Sequence, residues 1–126
     1  MRITIAAALC AMTSLAAADL AGTYKGTWSG ASSGDFVISL KPDDNGAWKS
    51  DVTFTIEGQE VKCHVTSVKV DESKVEVVYD FAFGDTKLQS TVNGQLNGKT
   101  LEGTYKTKSL DDGSAVDEGT WKAAAS

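Results

Sequence analysis

The chain's 126 residues carry 17 acidic against 12 basic side chains, for a net charge of −5, and its one arginine is Arg2. This length suits a single domain. An acidic chain with no arginine in its body lacks both the basic face and the base-reading side chain of a nucleic-acid binder, and its acidity favours solubility instead.

Residues 1–18 read as a secretory signal peptide. Arg2 supplies the positive start, 3–15 form an apolar run, and Ala16, Ala17 and Ala18 give small residues before Asp19. The run is shorter than the ~20 residues a membrane span needs. Leu9 stands where a lipoprotein cleavage site before Cys10 needs a small residue. The expected organisation is a leader over 1–18 and one domain over 19–126, secreted or periplasmic, with no membrane span after cleavage. Eleven lysines and seventeen acids remain after that cleavage, a net −6, and Cys63 is the one remaining cysteine. An intramolecular disulfide is then excluded, so core burial must stabilise the domain.

From residue 22 onward the pattern alternates with period two and is broken by turn residues at regular intervals. The first strand, 22–29, places Tyr24, Gly26 and Trp28 on one face. After a flexible turn at 30–34, the strand over 35–41 points Phe36, Ile38 and Leu40 inward. Pro42-Asp-Asp-Asn-Gly46 is a strong turn. The next strand turns Trp48, Val52, Phe54 and Ile56 inward, with Ser50 on the same face and in need of a hydrogen-bond partner there.

Beyond the turn at 57–59, Val61, Cys63 and Val65 face in. Val68 and Val70 then have the wrong parity, which predicts a β-bulge near Thr66-Ser67. The strand with Val75, Val77, Tyr79, Phe81 and Phe83 has the most apolar inner face of the chain. Leu88, Ser90, Val92 and Leu96 follow, and Asn97-Gly98 is a type I′ hairpin signal. The last two strands carry Leu101, Gly103 and Tyr105, then Gly119 and Trp121, toward the same interior.

These are eight strands with short connections and one dry face, a pattern that reads as an all-β antiparallel up-and-down meander. A sheet must cover its dry face. Eight strands achieve this by closing into a small barrel that is either filled by side chains or holds one small ligand. A β-sandwich is the alternative architecture. Closure is favoured because Gly22-Thr-Tyr-Lys-Gly-Thr-Trp28 is echoed by Gly103-Thr-Tyr-Lys106 and Gly119-Thr-Trp-Lys122, which marks the two chain ends as neighbouring strands and leaves no edge.

Gly26-Thr-Trp28, near the start of a secreted meander, resembles the Gly-x-Trp motif of lipocalins and the wider calycin group. The resemblance implies a barrel with the tryptophan at its closed base and a ligand mouth at the other end. The arginine that packs over that tryptophan in lipocalins and their Thr-Asp-Tyr motif have no counterpart here. Gly26-Thr-Trp-Ser-Gly30 is also similar to the opening of haem-binding nitrobindin barrels. Their axial histidine lies late in a longer chain, whereas His64, the only histidine, lies mid-chain with outward parity.

No catalytic constellation and no metal set is expected. Cys63 and His64 are adjacent on a strand and point to opposite faces, without further ligands of their kind. Cys63 reads as a small buried hydrophobe and His64 as a surface group. There is no Gly-x-Ser-x-Gly elbow. The acidic turns at 43–46 and 111–113 lack the spacing of an EF-hand. Glu102, Lys106, Glu118 and Lys122 read as cross-strand pairs on the wet face.

The remaining candidates are the inward aromatics Tyr24, Trp28, Trp48, Tyr79, Tyr105 and Trp121. They either fill the core or, toward an open end, line an apolar pocket with polar handles. The expectation is a non-enzymatic binding barrel without a cofactor, for a small apolar ligand. The second reading is a protein-interaction or protease-inhibitor-like module that acts through its turns.

Overall fold

A computed structural model describes residues 20–126, so the leader expected over 1–18 lies outside the described residues. The chain runs through nine strands: β1 (Gly22–Ser29), β2 (Ser33–Pro42), β3 (Trp48–Ile56), β4 (Gln59–Lys62), β5 (His64–Asp71), β6 (Lys74–Phe83), β7 (Thr86–Asn97), β8 (Thr100–Ser109) and β9 (Ala115–Ala125). They form one antiparallel sheet in the order β4-β3-β2-β1-β9-β8-β7-β6-β5. Among the described residues there is no helix.

The sheet is a meander rolled into a nearly closed barrel. β1 pairs with β9 from Tyr24–Ala125 to Ser29–Thr120, so the two ends of the chain are joined as the repeated segments indicate. The count is nine strands and not eight, because the expected fourth strand is divided at Cys63. Its first half, β4, pairs with β3, and its second half, β5, pairs with β6. One bent segment thus serves two neighbours and carries the sheet around its last corner. β3 contacts β5 and β4 contacts β6 across this seam.

The bulge falls where the parity slip placed it. Val65 pairs with Tyr79 and Ser67 with Val78, which leaves Thr66 as the extra residue. A second irregularity between Thr107 and Lys108 was not signalled by the sequence. The hairpin at Asn97 also differs from expectation. Asn97 pairs with Thr100, so the loop residues are Gly98 and Lys99, and only Gly98 has positive φ. The connection with both central residues at positive φ, as type I′ requires, is Glu57-Gly58.

The recurring glycine-aromatic pattern has a packing reason. Phe36 stands opposite Gly26, Trp28 opposite Gly34, Tyr105 opposite Gly119 and Trp121 opposite Gly103. At Gly34 an added Cβ would crowd the facing Trp28 ring, and at Gly26, Gly103 and Gly119 it would run into the backbone of the neighbouring strand. The glycines thus allow the strands to approach closely while the rings fill a narrow barrel. On the wet face Glu102 pairs in register with Lys122, and Lys106 with Glu118.

The interior divides into two layers. Toward the end where the chain enters, Leu20, Ile38, Leu40, Val52, Val77 and Leu101 are all at most 2% exposed and close the barrel. Burying each such side chain contributes about 1.5–3 kcal/mol. Toward the opposite end the interior is aromatic.

Candidate functional site

The aromatic end of the barrel contains a cavity of about 270 Å³. Its wall includes Trp28 from β1, Phe36 from β2, Phe54 from β3, Tyr79 from β6, Tyr105 from β8 and Trp121 from β9. Ala31, Ser32, Phe83 and Val116 place its mouth at the turns that join β1 to β2, β6 to β7 and β8 to β9. A larger hollow of about 410 Å³ lies on the outer face of β5 to β8 among Lys69, Asp71, Lys74, Glu76 and Glu102. Lys69 and Glu76 pair with each other across that charged outer face, whereas the interior cavity is lined mainly by apolar and aromatic side chains and is the stronger candidate for holding a small molecule.

Trp28, Tyr105, Phe54, Tyr79 and Phe81 form one connected set of rings, and Phe36 and Trp121 form a separate pair. Trp28 meets Tyr105 edge-on at 5.9 Å and Phe54 at 6.0 Å, and Phe54 meets Phe81 at 5.0 Å. Trp121 lies 5.2 Å from Phe36. Each indole is anchored by its nitrogen. Trp28 Nε1 donates to the Thr55 carbonyl at 2.9 Å, and Trp121 Nε1 donates to the Asn93 and Thr104 carbonyls at 3.2 Å. Gly34 makes the first of these bonds possible, because a Cβ there would collide with the Thr55 carbonyl and crowd Trp28 Nε1. Two satisfied indoles with fixed orientation make a preformed wall.

Two polar groups interrupt the apolar lining. In the first, Tyr79, Ser90 and Thr107 are all buried, and the Ser90 and Thr107 hydroxyls share a hydrogen bond. Burial drives the Tyr79 phenol well above the ordinary tyrosine range; the nearby Cys63 adds to this, and a hydrogen bond with Ser90 opposes it. In the second, Tyr105 donates its hydroxyl to Asp117 Oδ2 at 2.7 Å, and the Ala31 amide donates to Asp117 Oδ1 at 3.0 Å. Burial, followed by the hydrogen bond to Asp117 and its charge, raises the Tyr105 phenol as well. Both phenols therefore keep their protons at neutral pH, and Asp117 is the one acidic residue in the wall.

Of the six aromatics singled out from the sequence, the structure brings Trp28, Tyr79, Tyr105 and Trp121 together around the cavity. Tyr24 and Trp48 lie elsewhere. Tyr24 is buried at the closed end with its hydroxyl donating to the Leu20 carbonyl at 2.9 Å, and Trp48 is half-buried beside Pro42 at the same end. Trp28 stands in the cavity wall and not at the closed base, which departs from what the calycin resemblance implies.

Sequence reasoning assigned no role to Asp117 or to the Ser90–Thr107 pair. The signal for Asp117 was its parity with Gly119 and Trp121, and that for Thr107 its parity with Tyr105. Cys63 is half-buried with its thiol pushed up to about 12 by desolvation, and His64 is exposed. Among the described residues no group of three or more His, Cys, Asp or Glu side chains is placed to hold a metal ion.

Comparison with protein-family models and with curated protein sequences finds no match. The likeness to calycins accordingly rests on the barrel itself, an all-β and nearly closed architecture compatible with theirs.

Proposed function

We propose that this chain is an exported, non-enzymatic binding barrel that takes a small hydrophobic ligand into its aromatic cavity. The observation that carries this reading is the cavity of about 270 Å³ behind the mouth turns, walled by rings whose polar atoms are already bonded within the protein. An engineered cavity of roughly 150 Å³ is known to admit benzene, so this one suits a body of one or two rings. Protonated phenols and a single carboxylate offer no paired acid and base, which favours binding over catalysis. Export is supported by the leader pattern over 1–18, and mass spectrometry of the exported protein should find it beginning at Asp19.

The direct test is titration of the purified protein with neutral apolar probes from 1-hexanol to naphthalene, read by calorimetry and by the fluorescence of Trp28 and Trp121. Saturable one-to-one binding is the expected result. No response to any probe would overturn the reading.

One observation favours the second reading, a protein-interaction module. Phe83, Leu110 and Val116 are 37%, 42% and 52% exposed; Leu110 lies on the turn from β8 to β9, and Phe83 and Val116 lie at the strand ends beside the mouth turns. Leu110 is outside the cavity wall, so a stoichiometric protein partner bound by the wild type and lost in Leu110→Asp would support this alternative.

A further inference from the structure

We infer that the cavity selects a small aromatic monocation, an aryl ring carrying a short ammonium arm, over neutral and anionic molecules of the same size. This rests on the binding reading above and names the ligand class for that site.

Three features carry the inference. The first is the sign of the charge in the wall. Asp117 is acidic, and no lysine or histidine lines the cavity among the described residues. A carboxylate ligand such as a fatty acid would find no cation there and would meet a like charge.

The second is the state of that carboxylate. A carboxylate offers about four lone-pair sites. Tyr105 takes one on Oδ2 and the Ala31 amide takes one on Oδ1, which leaves capacity on both oxygens. The same two bonds hold the group in place, so an ammonium would meet an oriented acceptor and form a charge-assisted hydrogen bond.

The third is the surrounding rings. Trp28 and Tyr105 meet edge to face next to Asp117, and the faces of such rings attract cations. Outside the mouth, the connecting turns carry Glu57, Asp85, Asp111 and Asp112 and no lysine. Their field raises the local concentration of cations at the entrance. An aryl body thus has an apolar aromatic chamber to enter, and its ammonium has Asp117 at the rim.

The test compares three ligands of one shape by calorimetry at pH 7: 1-naphthylmethylamine as the cation, 1-naphthylmethanol as its neutral counterpart and 1-naphthoic acid as the anion. The amine should bind at least about tenfold more tightly than the alcohol, as expected for a charge-assisted bond in a partly desolvated site, and the acid should bind most weakly. Asp117→Asn should bring amine and alcohol to within about twofold of each other. If that variant does not fold, the wild-type ratios decide the matter alone. Alcohol binding equal to or tighter than the amine, tighter binding by the acid, or an undiminished amine preference in Asp117→Asn would overturn the inference while leaving the binding reading intact. Binding by none of the three, nor by the neutral panel, would remove both.

Discussion

The Tyr105 hydroxyl donates to the Asp117 carboxylate at 2.7 Å, and this bond joins adjacent strands at the rim of the cavity. Tyr105 lies opposite Gly119 and Asp117 opposite Thr107, so the two side chains meet on the diagonal of the β8–β9 ladder. The bond orients a ring of the wall and a charge of the rim at once. Replacing Tyr105 by Phe keeps the ring and removes the donor. A hydrogen bond to a charged group that water can partly replace contributes about 1 kcal/mol, and Tyr105→Phe should lose that much in urea unfolding. A loss above the full range for removing a buried partner, about 3 kcal/mol, would mean that the bond holds the strand pair and not only the rim.

Stability should fall in alkali. The Cys63 thiol is raised from 9.0 to about 12 by burial, and burial also raises Tyr79 and Tyr105. For each group the unfolded chain gives up its proton first as pH rises. The contribution is therefore fully present below the unfolded value and is lost as pH climbs through the folded one. The urea midpoint should decline from about pH 9 upward, and the decline should be shallower in Cys63→Ala. A midpoint that stays flat to pH 11 would contradict this account.

Trp121 covers Gly94, where an added Cβ would lie 2.6 Å from its Cζ2 atom. The indole Nε1 is bonded to the Asn93 and Thr104 carbonyls, so lifting the ring off Gly94 would stretch both bonds. Gly94→Ala should cost about 1–3 kcal/mol through overpacking and should change the near-ultraviolet circular dichroism of the tryptophans. An unchanged melting temperature would show that the ring can shift freely.

Ser50 presents a buried hydroxyl that has no hydrogen-bond partner among the described residues. The sequence places it on the inner face beside Leu40, its neighbour in register. Removing an unsatisfied hydroxyl relieves a desolvation cost, so Ser50→Ala should leave stability unchanged or raise it by up to about 1 kcal/mol. Destabilisation of that size would indicate that the hydroxyl is bonded in solution.

The all-β class, the strand over Gly22–Ser29, the bulge at Thr66 and the pairing of the chain's two ends were all legible in the residues. Each is a local signal, because successive side chains on a strand point to opposite faces, and a parity slip or a turn residue leaves its mark in place. Parity assigns a face to a side chain but no height along the barrel axis. Tyr24 and Trp28 share a face of β1, yet one seals the base and the other walls the cavity. Asp117 and Tyr105 lie twelve residues apart in the chain and are brought together only by the β8–β9 register. The division of one strand at Cys63 likewise depends on which neighbours each half finds. Alternation settled an antiparallel sheet with one aromatic-rich dry face, and the echoed end segments pointed to its closure. The stagger of the strands, which no single strand encodes, selected the rings that face the cavity and set a carboxylate at its mouth.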